Sequence, residues 1–181
     1  MLKPKITYHR VKTNEELEAI LKLQSDNLPK KITASEQEKE GYVTIHHTFD
    51  ILKRMNDSCA HIIAKHEENI VGYVLCMTKS FKDEIPILVS MFNEIESIIP
   101  EAQNYIVMGQ VCVSKAYRKQ GIFRGLYQFM SQVLKPDFDA IITEVNIKNV
   151  RSSNAHLAIG FELLKIYNSN DDTWELIRLS I

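Results

Sequence analysis

Hydrophobic positions change period several times along the chain, and each change marks an element. Residues 6–11 read as a first strand; Thr13, Asn14, Glu15 and Glu16 then have capping-box spacing, and Leu17, Ile20 and Leu21 share one helical face. Residues 29–56 are polar and broken, with a second capping-type sequence at residues 33–36, a break at Gly41 and a short helix carrying Phe49, Leu52 and Met55. This stretch suits the lip of a substrate mouth and an irregular connection equally. Residues 59–65 and 70–77 are strand-like and flank the polar turn His66, Glu67, Glu68, Asn69, which predicts an antiparallel hairpin.

Residues 85–99 are apolar without a clear period. Residues 105–113, rich in β-branched and apolar side chains, predict a central strand, and Ile122, Leu126, Phe129, Met130 and Val133 then fall at helical spacings. Residues 140–145 predict another strand and residues 149–159 a helix that Gly160 terminates. Residues 161–167 and 173–179 form a closing hairpin around the turn-rich stretch from Asn168 to Asp172. A strand, helix, strand succession over 105–145 predicts a parallel pair, because the helix returns the chain to the same end of the sheet. The fold class expected is therefore α/β: a mixed, largely antiparallel central sheet with a parallel strand pair, flanked by helices.

A chain of 181 residues with 45% hydrophobic and 25% charged residues suits one packed domain over residues 1–181. Formal net charge is -1, so nothing in the global balance steers it onto nucleic acid or an anionic membrane. The first residues lack the apolar run of a signal peptide and no stretch approaches bilayer-spanning length, which gives a cytoplasmic location as the expectation. Cys59, Cys76 and Cys112 are far apart within apolar runs and read as buried thiols. His46 and His47 are adjacent without ligand-spaced partners, so no metal site is expected. A homodimer is left open.

The richest chemistry lies where the central strand passes through Val111, Cys112 and Val113 into a basic loop and a helix. Lys115, Arg118, Lys119, Gln120, Gly121, Ile122, Phe123 and Arg124 combine cationic side chains, a glycine and a helix start. Unpaired N–H groups and the helix dipole at such a start bind phosphate oxygens. The cations can equally be a solvated surface. There is no G-x-x-x-x-G-K-[ST], and only one glycine where a dinucleotide fingerprint needs three, which removes support for nucleoside triphosphate and NAD. The spacing from Arg118 to Gly121 after a V-x-V strand resembles the diphosphate loop of the GNAT acetyltransferases, [Q/R]-x-x-G-x-[G/A], with Phe123 standing where a small residue is usual. Downstream, Asn149, Ser152, His156, Gly160 and Phe161 resemble the other half of that family's cofactor site.

The resemblance implies acetyl-CoA as co-substrate, no metal, and direct acetyl transfer to a primary amine of a small molecule or peptide. A non-catalytic acyl-CoA-binding regulatory domain of the same fold is the alternative. Asn149 suits the amides of a pantetheine arm or a helix N-cap, and Ser152 the same two roles. His156, four residues after Ser152, stands where the family has a proton donor to the departing thiolate; it also fits a buried structural histidine. Glu144 shares a strand face with Ala140 and Ile142, where burial would raise its pKa toward that of a useful base. It could instead reach solvent or pair with Lys148 or Arg151. Its spacing from His156 resembles the acid and base pair of ribosomal-protein N-terminal acetyltransferases. Cys112, inside an apolar strand, is expected to be buried rather than nucleophilic.

Overall fold

A computed structural model describes residues 5–28 and 46–181. The expected capping sequence at residues 33–36, the Gly41 break and Tyr42, which could also serve as a catalytic group, lie outside the described residues.

Strand β1 (Ile6–Arg10) leads into helix α1 (Asn14–Asp26), whose start is fixed as the sequence requires: the Thr13 hydroxyl accepts from Glu16 N–H, and the Glu16 carboxylate reaches back to the Thr13 N–H. Helix α2 (Phe49–Ser58) is capped by Thr48 and has Cys59 as its C-cap, so the hairpin strand β2 (Ile62–His66) begins three residues later than the apolar run suggested. Strand β3 (Asn69–Met77) follows a two-residue turn in which Glu67 takes φ 55°. The apolar stretch at 85–99, which had no readable period, holds helix α3 (Val89–Ile98), with Met91, Phe92 and Ile95 buried at spacings of a helical face.

Strand β4 (Tyr105–Val113) precedes helix α4 (Ile122–Leu134), strand β5 (Ala140–Asn146) and helix α5 (Val150–Leu157). Strands β6 (Glu162–Ser169) and β7 (Asp172–Ser180) close the chain; Asn170 and Asp171 both take positive φ, the geometry a tight hairpin turn demands.

Among the described residues seven strands form one sheet in the order β1-β2-β3-β4-β5-β7-β6, with β4 and β5 parallel. Successive side chains of a strand serve two separate cores. Leu17, Ile20, Leu52, Met55, Phe92, Ala140 and Ile142 pack on the face covered by α1, α2 and α3. Ile122, Leu126, Met130 and Leu134 of α4 pack with Ile62, Val74, Ile106, Ile141 and Val145 on the other. Gly125 lets α4 lie against β1: a Cβ there would meet the Tyr8 hydroxyl oxygen at 2.0 Å. The three cysteines are free and buried.

Candidate active site

The central feature is a break in the sheet. Strands β4 and β5 pair only from Tyr105, Ile106 and Val107 to Ala140, Ile141 and Ile142, although both continue beyond that point. The register of β4 against β3 shifts across Gly109, between Met108 and Gln110, a bulge that bends the strand. At the fork, Thr143 Oγ1 donates to Met108 O at 2.8 Å and closes the ladder. Beyond it β4 stays paired with β3 up to Val113, and β5 stays paired with β7 up to Asn146. A gap opens between them.

On the α4 face this gap meets a cleft of about 220 Å³ lined by Val111, Cys112, Val113, Arg118, Lys119, Gly121, Ile122, Phe123, Asn149 and Ser152. The sequence-predicted cofactor residues are thus gathered in one place, except Gln120 and Arg124, which do not line it. Gly121 caps α4 at φ 83° with no side-chain cap, and a Cβ there would meet nothing within 4 Å. The first N–H groups of a 13-residue helix therefore begin at open space. Lys119 is also left-handed, at φ 62°; alternating backbone conformations of this kind turn successive N–H groups inward as an anion nest.

The cationic side chains contribute differently from expectation. Arg118 Nε donates to Val113 O at 3.1 Å and its NH2 group to Asn27 Oδ1 at 2.6 Å, tying the loop to the strand end and to the end of α1. Arg124 donates to Ala158 O at 2.9 Å, and Gln120 folds back on Ala116 O. The Phe123 ring, at the position where a small residue is usual, turns toward the second core, edge-on to His156 and tilted to Tyr127, both at 5.1 Å between centroids. Its backbone N–H stays at the helix start.

Glu144 and His156 line the gap from opposite faces of the sheet. Burial pushes the Glu144 carboxyl up to about 7, while a hydrogen bond from the Tyr167 hydroxyl pulls the other way. Of the salt partners considered from sequence, Lys148 pairs with Asp172 at 2.7 Å. His156 is almost fully buried, with Nδ1 2.8 Å from its own helix carbonyl at Ser152 and Nε2 2.7 Å from the Tyr127 hydroxyl. A carbonyl can only accept, so Nδ1 carries the proton and Nε2 accepts from Tyr127. Desolvation lowers its pKa to about 4. His156 is therefore a neutral ring with both nitrogens engaged, edge-on to Phe123, Tyr127 and Phe161.

Asn149 is the N-cap of α5, its Oδ1 accepting from Ser152 N–H at 3.3 Å, and both residues line the cleft and the gap. Cys112 is buried, with its thiol pushed up to about 12 by desolvation. Thr143, Tyr167, Asn27 and Trp174 were not singled out by sequence. Each comes from an element distant in the chain, and no local pattern marks it. Among the described residues no group of three or more His, Cys, Asp or Glu is placed to hold a metal ion, and no helix is long and apolar enough to cross a membrane.

A forked mixed sheet with a helix start at one mouth of the fork and a half-buried carboxyl inside it defines the class: an acyl-CoA N-acyltransferase fold. Residues 17–161 match the model of the acetyltransferase (GNAT) family, and the chain belongs to that family, an acyltransferase that uses acetyl-CoA. Similar solved structures include the ribosomal-protein-S18-alanine N-acetyltransferase of Escherichia coli, with TM-score 0.66 and 12% identity over 98% of this chain and 94% of that one. Arabidopsis thaliana NAA60 in complex with acetyl-CoA gives 0.66 and 15% over 98% and 100%. Arabidopsis thaliana Naa50 in complex with the bisubstrate analogue CoA-Ac-MVNAL gives 0.66 and 13% over 97% and 99%. At such identities the likeness is one of fold. No curated protein matches the sequence significantly.

Proposed function

We propose that the protein transfers acetyl from acetyl-CoA directly to a primary amine of a small molecule or peptide, with Glu144 as the base. The observation that carries this is the position of Glu144: a carboxyl held at about 7 inside the gap that joins the helix-start cleft to a pocket on the opposite face of the sheet. An ammonium reaching that pocket loses its proton to Glu144, directly or through water. The free amine attacks the thioester carbonyl, a C–N bond forms, the nitrogen sheds its second proton to water as the adduct collapses, the C–S bond breaks, and CoA leaves as thiolate. Thiols titrate near 8.5, so the thiolate is a modest base and takes a proton from water in the open cleft.

The remaining residues hold and orient. The N–H groups of Ile122, Phe123 and Arg124 receive the diphosphate, with Gly121 giving close approach and Lys119 adding charge. Val111, Cys112 and Val113 offer the pantetheine arm the backbone edge that β5 has left, with Asn149 and Ser152 across the gap. His156 acts as a positioning residue, pinning α5 to Tyr127 of α4. The similar structures support a peptide amine among the acceptors, since one is bound to a CoA-peptide analogue and another is a ribosomal-protein-alanine N-acetyltransferase. Three buried free thiols suit a reducing compartment, in keeping with a cytoplasmic location.

Thiol release from acetyl-CoA against a panel of amines, with product mass read in parallel, tests the proposal. Amine-dependent release with a product 42 Da heavier is expected, about the mass that acetyl adds in place of hydrogen. Acetyl-CoA binding without any amine-dependent release would instead make the chain a non-catalytic binding domain.

A further inference from the structure

The pocket on the α3 face of the sheet has a chemistry of its own. It holds about 310 Å³, the lower end of the range for small-ligand sites, and it shares Glu144 with the gap. Its walls are largely apolar: Ile87 and Leu88 from the turn before α3, Met91 from the first turn of α3, and Trp174 from β7. The indole is fixed, because Trp174 Nε1 donates to Ser169 O at 3.2 Å. Leu88 and Met91 are buried, whereas Ile87 is 51% exposed at the mouth. An apolar side chain half in water at the rim of a concave apolar wall is a surface that a ligand's apolar group can cover.

The charged side chains lining this pocket are both acidic, and among the described residues lining it there is no lysine, arginine or histidine. Asp172 at the rim is ion-paired with Lys148 at 2.7 Å, so Glu144 at the inner end sets the field where an amine would sit. An ammonium is matched by this field. A carboxylate on the carbon next to the amine would sit beside Glu144 with no lysine, arginine or histidine among the described lining residues to pair with, and like charges at that range oppose binding.

We infer that the acceptor is a primary amine whose neighbouring carbon atoms bear an apolar group and no carboxylate, seated against Ile87, Leu88, Met91 and Trp174. This rests on the acetyltransferase reading and narrows it. An amidated or peptide-linked leucine-like residue and a simple alkylamine share the required chemistry. Free amino acids and polyamines do not: the first bring a carboxylate to Glu144, and the second bring charge to an apolar wall.

The test compares kcat/KM for leucinamide, isoamylamine, glycinamide, free leucine and spermidine at saturating acetyl-CoA. Leucinamide should exceed glycinamide by about tenfold or more, since even one methylene in a hydrophobic pocket discriminates by about that factor. It should exceed free leucine by a similar factor. Leucinamide above isoamylamine identifies a residue-like acceptor, and the reverse a plain alkylamine; both support the inference. Ile87→Asp, at an exposed position, should raise KM for leucinamide about tenfold with little change in kcat, and narrow its lead over glycinamide. Glycinamide, leucine or spermidine turned over as well as leucinamide would overturn the inference while leaving acetyl transfer in place. An absence of acetylated product across the whole panel would overturn both.

Discussion

Replacing Glu144 with glutamine separates the catalytic value of the carboxylate from its cost to the fold. The substitution keeps size and an acceptor oxygen for the Tyr167 hydroxyl, and removes the ionisation. In the native protein burial raises this carboxyl from the ordinary 4.5 to about 7, which corresponds to about 3 kcal/mol. The native state holds the proton more tightly than the unfolded chain does. The contribution to stability is therefore complete below about pH 4.5 and lost as pH rises through about 7. A glutamine does not ionise, so Glu144→Gln should match the parent near pH 4.5 and exceed it by up to about 3 kcal/mol at pH 8. Urea unfolding at several pH values reads the difference.

Activity should move the other way. A positioned base contributes about a hundredfold or more, so kcat at pH 8 should fall by at least that factor. In the parent, kcat/KM should rise with pH and level off above about 7. Two acceptors with different amine pKa values distinguish this limb from titration of the amine itself, because only the limb due to Glu144 stays in place. Turnover of Glu144→Gln within a few-fold of the parent would put the base elsewhere. A stability difference that is the same at pH 5 and pH 8 would refute the raised ionisation of Glu144.

Gly121→Val places a side chain where the cleft is empty and at a left-handed φ; acetyl-CoA affinity by calorimetry should drop about tenfold or more, with about 1–2 kcal/mol of stability lost, and unchanged affinity in a folded variant would move the diphosphate elsewhere. His156→Phe removes the acceptor of the buried Tyr127 hydroxyl, so it should cost about 1–3 kcal/mol in denaturant melts yet reduce turnover less than about tenfold. A hundredfold loss in a folded His156→Phe protein would restore the acid role. His47, His61 and His156 are buried with pKa values lowered from 6.5 to about 4, 3 and 4. Their neutral-form stability is present above pH 6.5 and lost on acidification, about 2 kcal/mol each by pH 5, against about 2 returned by Glu144; stability that stays flat from pH 7 to 5 would contradict this.

The elements that sequence revealed are those whose signal is local. The capping box at Thr13 and Glu16, the helix start at Gly121 and the stop at Gly160 each depend on a few neighbouring residues, and each lies where expected. Helix α3 was obscured because Pro86, a short 3-10 turn and an apolar residue at nearly every second position blur the helical period over 85–99. The cofactor-side residues were legible because a loop and helix start present their backbone in chain order. What Arg118 and His156 touch was not legible, since Asn27 and Tyr127 lie 91 and 29 residues away. The same holds for Tyr167 on Glu144, 23 residues apart through an intervening helix and strand.

The site depends on a sheet that stops being regular at one place. Were β4 and β5 paired along their whole length, the backbone of Val111, Cys112 and Val113 would be spent on the ladder and Glu144 would face its own core. The bulge at Gly109 alters the course of β4 just past the last parallel pair, and Thr143 takes the carbonyl of Met108 that the lost ladder would have used. The buried polar cost of the fork is thereby limited to one satisfied hydrogen bond. Past that point β4 and β5 still have a full partner each, in β3 and β7, so the walls of the gap are rigid even though the gap itself is open. Rigid walls matter for direct transfer, where holding amine and thioester in reacting geometry supplies much of the rate. In the proposed reading the fork also gives the two substrates different faces of one sheet, so a pocket for the acceptor behind Trp174 can vary in chemistry without disturbing the helix start proposed for the diphosphate.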